Sequence, residues 1–238
     1  MPVSSSSFRV ATLRTGAITA VAAVVLQLGL MAGGIHPIAA VFPADFSVFS
    51  IPSTSMAPTL QINEYVFALE WPKVSRGDVV VYRLPKDENT VYIKRIVGLP
   101  GERVRMVGGV LHINGTAVKQ ERLDDAVLQN YGDKPRPVRQ WLETLPGGRS
   151  HRILDEVDNG FLDNTAEYTV PAGHYFMMGD NRDNSSDSRV ARHGPVPAAN
   201  ILYHPEFVYF SMQEGESVWR FWRWPWSVRW GRLFSRVS

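Results

Sequence analysis

Apolar and polar positions divide the 238-residue chain into contrasting textures. From Thr15 to Ile35 there is no charged residue, and Ala, Val, Leu, Ile and Gly dominate. A helix of about 20 residues at about 1.5 Å each spans roughly 30 Å, the hydrocarbon thickness of a bilayer. Residues 15–35 are therefore predicted to be a transmembrane helix, preceded by a short tail, 1–14. Arg9 and Arg14 precede the run, and the first acidic residue after it is Asp45. The positive-inside rule keeps the tail in the cytoplasm and sends the rest of the chain across the membrane. Two other readings compete. A cleaved secretory signal has a shorter apolar core of about 7–15 residues, with Ala39-Ala40 as a poor cleavage site. A buried core helix is the other, although helices that are apolar all round are usually membranous.

After Pro43 the pattern changes to short apolar runs broken by Pro, Gly, Asn and Asp. Strands are predicted at Glu64–Leu69, Asp78–Tyr82, Thr90–Val97, Arg103–Val107, Val110–Ile113, Tyr175–Met178 and Glu206–Phe210. Asn114-Gly115 is a tight hairpin-turn dipeptide that follows one of these runs. Beyond the anchor, only Ala126–Tyr131 reads as helical. Lys119–Asn164 is polar, rich in Pro, Gly, Asp and Arg, and weakly periodic, so it reads as a loop-rich insertion. The fold class is mostly β, with antiparallel strands joined by turns and one N-terminal transmembrane helix.

Composition narrows the chemistry. Apolar content of 45% and charged content of 20% are ordinary for a globular chain and exclude wholesale disorder. Lys and Arg total 25 against 23 Asp and Glu, so no basic field for nucleic acid is present. The absence of cysteine rules out disulfides, a thiol nucleophile and any Cys-ligated zinc site.

Three segments could carry chemistry. The first is Ile51-Pro52-Ser53-Thr54-Ser55-Met56-Ala57-Pro58-Thr59-Leu60, in which prolines fix the backbone around two serines. It suits a nucleophile loop, and equally a turn whose hydroxyls satisfy backbone groups. The second runs from Thr90 to Glu102. As a strand it sets Val91, Ile93, Arg95 and Val97 on one face and Tyr92, Lys94 and Ile96 on the other. A lysine on an apolar face tends to shed its proton; lowering its pKa from about 10.4 to about 7 costs some 4–5 kcal/mol. Neutral, it is a general base; on an edge strand it would simply reach solvent. The third is Gly179-Asp180-Asn181-Arg182-Asp183-Asn184-Ser185-Ser186-Asp187-Ser188-Arg189. A calcium loop counted from Asp183 fails, with Ser188 where Gly is needed and Gly194 where Glu is needed. A structural polar network with Asp187 paired to Arg189 also fits.

Other hydrolase signatures are missing. There is no G-x-S-x-G elbow, no Lys three residues after Ser53 or Ser55, and no H-E-x-x-H pair. A lysine base is the remaining way to activate a loop serine.

Together and in this order, the anchor, the serine loop, Arg76-Gly77-Asp78-Val79-Val80-Val81-Tyr82, the Lys94 strand and Gly179–Arg189 closely resemble bacterial type I signal peptidases. The resemblance implies a membrane-bound serine endopeptidase that removes signal peptides from exported preproteins. It makes Ser55 the nucleophile, Lys94 the general base, and Ser53 the hydroxyl that joins the Ser55 N–H in the oxyanion hole. Ser185 would orient the lysine ammonium, and Asp187 and Arg189 would support that loop as an ion pair. Phe49, Ile51, Met56, Leu60, Val81, Tyr92 and Ile93 would surround two shallow pockets for the small residues of an A-x-A site. No metal or organic cofactor is implied, and the expected partners are preprotein signal peptides and the lipid bilayer. The implied layout is a catalytic β-domain at 43–103 and 172–215, interrupted by a variable subdomain at 104–171. The implied location is the inner membrane, with a single pass and the catalytic domain on the exported face. Thr54 stands where Gly is frequent in that family, and the subdomain's role is open.

Residues 216–238 hold Trp219, Trp222, Trp224, Trp226 and Trp230 among Arg220, Arg223, Arg229, Arg232 and Arg236. Trp favours the membrane interface and Arg anionic headgroups, so this tail reads as an interfacial patch; packing of the tryptophans on the β-domain is the alternative. Rival readings of the whole are a self-cleaving repressor with a Ser–Lys dyad, which would need a DNA-binding domain in place of the apolar N-terminus, and a non-catalytic membrane-tethered interaction domain.

Overall fold

The computed structural model describes residues 46–70, 73–84, 87–128, 134–213, 215–216 and 220–238. The predicted anchor at 15–35, the tail at 1–14 and Trp219 lie outside them. Among the described residues no helix is long and apolar enough to cross a membrane.

The chain forms β1 (Phe46–Ile51), β2 (Glu64–Leu69), β3 (Val79–Leu84), β4 (Asp87–Gly98), β5 (Arg103–Val107), β6 (Val110–Ile113) and β7 (Thr116–Ala117). There follow β8 (Lys119–Leu128), β9 (Arg136–Thr144), β10 (Ser150–Asp155), β11 (Tyr168–Thr169), β12 (His174–Met178), β13 (Val196–Pro197) and β14 (Ile201–Ser211). The main sheet has seven strands in the order β1-β2-β14-β3-β4-β12-β13, all pairs antiparallel. A second sheet runs β11-β5-β6-β7 and a third β10-β9-β8.

β3 is almost continuously apolar because it is central: Val79 and Val81 enter one core cluster, and Val80, Tyr82 and Leu84 another on the opposite face. β5 shows the simpler half-buried rule, with Val104 and Met106 buried and Arg103, Arg105 and Val107 exposed. The Asn114-Gly115 turn takes φ of 52° and 81°, which suits the twist of a two-residue hairpin, and Ile113 pairs with Thr116 across it.

Two expectations need correcting. Ala126–Leu128, the described part of the expected helix, belongs to β8. Lys119–Asn164 holds a regular three-stranded sheet rather than mainly loops. β8 is largely solvent-exposed and carries few apolar residues, so neither its composition nor its periodicity announces a strand. β1 falls outside the expected strands, and β14 extends past the expected Glu206–Phe210 to eleven residues.

Candidate active site

The serine loop lies between β1 and β2 and is tied down from below. Met56 and Leu60 are buried in the cluster that includes Phe49, Ile51, Val66, Val79 and Val81. Backbone bonds from Ala57 N–H to the Thr54 carbonyl (2.9 Å) and from Leu60 N–H to the Met56 carbonyl (2.9 Å) close the turn. The loop thus presents Ser53 Oγ 3.2 Å from Ser55 Oγ.

β4 brings the lysine. Lys94 Nζ lies 2.6 Å from Ser55 Oγ and 3.1 Å from the Ile93 carbonyl, and the residue is only 4% exposed. Burial pushes the lysine down to about 8, while the carboxylates of Asp187 and Asp180 pull it upward and Arg189 lowers it further. A lysine within hydrogen-bond reach of a hydroxyl, with its pKa drawn down toward neutrality, can in its neutral form take the hydroxyl's proton.

The Gly179–Arg189 segment backs the pair. Asp187 and Arg189 form a buried ion pair at 2.8 Å, and the Gly179 N–H donates to Asp187 at 3.0 Å. The Arg189 guanidinium holds the Asp187 carboxyl below the usual range although burial opposes it. Asn181 N–H donates to the Ser55 carbonyl at 3.2 Å. A Cβ on Gly179 would lie 2.2 Å from Ser185 Oγ and 2.5 Å from the Ser55 carbonyl oxygen, so the residue must be glycine for these groups to close on each other. Ser185 is buried there, and its hydroxyl makes no hydrogen bond to Lys94.

Of the residues expected around the substrate, Phe49, Ile51, Met56, Leu60 and Val81 share one buried cluster, with Ile93 packed against it. Tyr92 lies on the other face of β4, stacked with Tyr82 and met edge-on by His193 at 5.2 Å. Beside the serine loop, Thr54, Ala57, Pro58, Leu128, Leu154 and Arg229 bound an open groove of about 460 Å³.

Strand alternation singles out Arg95 but not its partner. Arg95 is fully buried and grips Asp180 through two bonds, Nε–Oδ1 at 2.8 Å and Nη2–Oδ2 at 2.7 Å. Nothing in sequence spacing reveals a pair separated by 85 positions. In the tail, Arg232 is bonded to the buried Glu64 at 2.7 and 2.9 Å, and Arg229 donates to Gln61 and to the Ile62 carbonyl. These two arginines therefore brace the end of the serine loop where it enters β2, whereas Trp222, Trp226 and Trp230 are exposed. Among the described residues, Asp155, Asp163 and Asp183 bring one carboxylate oxygen each within 4.8 Å of one another, a geometry open to a cation. Backbone N–H groups of Glu156, Val157 and Gly160 already donate to Asp183 and Asp163.

The family described as "Signal peptidase, peptidase S26" matches residues 18–210. Signal peptidase I of Rickettsia typhi is 31% identical over 193 residues, covering 68% of this chain and 71% of that protein. Signal peptidase I of Rickettsia akari is 32% identical over the same shares. A crystal structure of a signal peptidase I from Enterococcus faecalis V583 is 26% identical, covers 54% of this chain and 93% of its own, and superposes with a TM-score of 0.32.

Proposed function

Because the chain belongs to the signal peptidase family of serine peptidases, we propose that it removes signal peptides from exported preproteins with a Ser55–Lys94 dyad. The observation that carries this reading is the 2.6 Å contact between Ser55 Oγ and a buried lysine whose pKa is drawn down to about 8. Neutral Lys94 takes the Ser55 proton as Oγ attacks the scissile carbonyl. The Ser55 N–H and the Ser53 hydroxyl steady the oxyanion, a contribution of about 3–4 kcal/mol per donor in other serine hydrolases. Lys94 then protonates the leaving amine and activates the water that releases the acyl enzyme. Ser185, whose hydroxyl is not bonded to Lys94 here, would have to turn toward it to steady the ammonium, and the Asp187–Arg189 pair holds that loop.

Specificity for A-x-A sites follows from shape. Phe49, Ile51, Met56, Leu60 and Val81 form a buried apolar cluster with Ile93 packed against it, and shallow pockets at its edge, with Tyr92 at the margin, would accept methyl-sized side chains. The substrate binds extended beside a strand. Residues 15–35 anchor the enzyme in the inner membrane, with 1–14 in the cytoplasm and the catalytic domain on the exported face. The exposed Trp222, Trp226 and Trp230 rest at the bilayer interface.

The test is cleavage of a preprotein with an A-x-A site by wild-type, Ser55→Ala and Lys94→Ala protein in detergent. Both variants are expected to stay folded and lose at least about 10³-fold in kcat. Ordinary cleavage by either variant would remove the dyad and reopen the interaction-domain reading.

A further inference from the structure

The inserted sheet carries a row of polar side chains on adjacent strands. Gln120 of β8 pairs with Glu143 of β9, and Glu143 with His151 of β10. Glu143 is fully buried and His151 is 4% exposed, in a sheet whose other charged residues mostly face solvent. Buried charge is retained only where it is paired, so the partners of this row show what it does.

Those partners lie on the segment behind the nucleophile. Glu143 binds the buried Arg182 guanidinium, and Gln120 Nε2 donates to its second oxygen at 3.2 Å. His151 Nε2 stands between two carboxylates, 3.5 Å from Glu143 and 3.8 Å from Asp180. The backbone continues the same joint. Leu154 N–H donates to the Asp180 carbonyl at 2.8 Å, and Arg182 N–H to the Leu154 carbonyl at 2.9 Å. β10 thereby clasps Asp180, Asn181 and Arg182 from one side. From the other, the Asn181 N–H holds the Ser55 carbonyl at 3.2 Å, and Asp180 holds Arg95 and Thr59.

We propose that Glu143 is a positioning residue for the Ser55–Lys94 dyad: from the inserted sheet, it fixes Arg182 and thereby the Asn181 N–H that holds the nucleophile's carbonyl. The inserted sheet is then part of the catalytic apparatus without touching substrate. The fixed arginine also sets the field at the base. Arg182 feels Asp180 and Asp187 as well as Glu143, and these two carboxylates are the groups that raise Lys94. Glu143 binds Arg182 through Nη2 and so competes with Asp180 and Asp187 for the guanidinium charge; Arg189, the third charged group acting on Lys94, is already held by Asp187.

This inference rests on the proposed activity, and wild-type cleavage of an A-x-A preprotein is its control: failure there counts against the activity itself. With the control active, kcat, KM, Tm and the pH profile are measured for Glu143→Asp, Glu143→Gln and the double variant Glu143→Gln/Arg182→Gln. Glu143→Asp keeps the charge and the fold, and should lower kcat about 10-fold with KM within about twofold. Displacements of about 1 Å far from the chemistry can remove as much as 10²-fold. Glu143→Gln should lower kcat further and move the acid limb of kcat/KM to lower pH, as the released Arg182 draws on Asp180 and Asp187. The double variant should regain Tm but not kcat, since no buried cation is stranded yet the joint is still missing. An unchanged kcat in Glu143→Asp, or a double variant whose kcat returns together with its Tm, would overturn the proposal by reducing the row to a structural contact.

Discussion

Lys94 and Arg95 are consecutive on β4 and both buried, at 4% and 0% exposure, yet the two faces of the strand treat them in opposite ways. On one face Arg95 meets Asp180 in a two-bond ion pair and also donates to the Gly77 carbonyl at 2.7 Å. On the other, Lys94 meets a serine hydroxyl and a backbone carbonyl, and no carboxylate among the described residues is in hydrogen-bond contact with it. A guanidinium keeps its proton under all ordinary conditions and rewards a matching fork; an ammonium left without a counter-ion sheds its proton. The first arrangement gives a fixed cation that organises the loop behind the nucleophile. The second gives a base. The same backbone, one residue apart, sets up both because pairing, not depth alone, decides protonation.

The harshest way to break the contrast is to make both faces alike. Lys94→Arg places a permanent cation beside Ser55, where nothing can accept the hydroxyl's proton. The expected result is loss of about 10⁴-fold in kcat, the upper range for a general base, with the protein still folded. Circular dichroism and single-turnover cleavage check the two halves of that statement, and a residual activity within tenfold of wild type would show that Lys94 is not the base.

Less of this contrast is legible in the sequence than the motifs suggest. Alternation along Thr90–Val97 is enough to put Lys94 and Arg95 on opposite apolar faces, since a strand's side chains must alternate. The partner Asp180 stays hidden, because an ion pair between a strand and a loop distant in sequence leaves no local pattern. Glu143 and His151 escape notice for a related reason: such residues are ordinarily surface ones, and only tertiary pairing shows them to be buried. The composition of the tail suggests headgroup ligands for Arg229 and Arg232, yet they hold Gln61 and Glu64. The hairpin at Asn114-Gly115 is plain because the positive φ values it needs, 52° and 81°, are easiest for Asn and Gly.

A milder change weakens the paired face alone. Asp180→Asn keeps the shape but strands Arg95 as a buried unpaired cation, which is expected to cost about 3–5 kcal/mol of stability. Because the Asp180 carboxylate raises Lys94, its removal should also carry the acid limb of kcat/KM to lower pH than in the wild type, where the limb is expected near 8. Urea denaturation and a pH–rate profile measure the two effects separately. A limb that moved upward would mean that Asp180 does not act on the base.

The smallest effect comes from relieving the unpaired face, and its sign is the most informative. Lys94 has its pKa lowered from 10.5 to about 8 in the folded chain. Between those values the unfolded chain binds the proton and the folded chain does not, so stability from this group rises with pH across that window. Below about pH 8 the folded protein carries the full penalty of a buried, poorly compensated ammonium, about 3 kcal/mol from the shift at about 1.36 kcal/mol per unit. Lys94→Met fills similar volume without the charge. It should therefore be inactive yet more stable than wild type by up to about 3 kcal/mol at pH 7, with the gap closing as pH approaches 10.5. Chemical denaturation of both proteins at several pH values decides it. Equal stability at pH 7 would mean that Lys94 is compensated after all, and the difference between the two faces of β4 would then lie in residue type rather than in pairing.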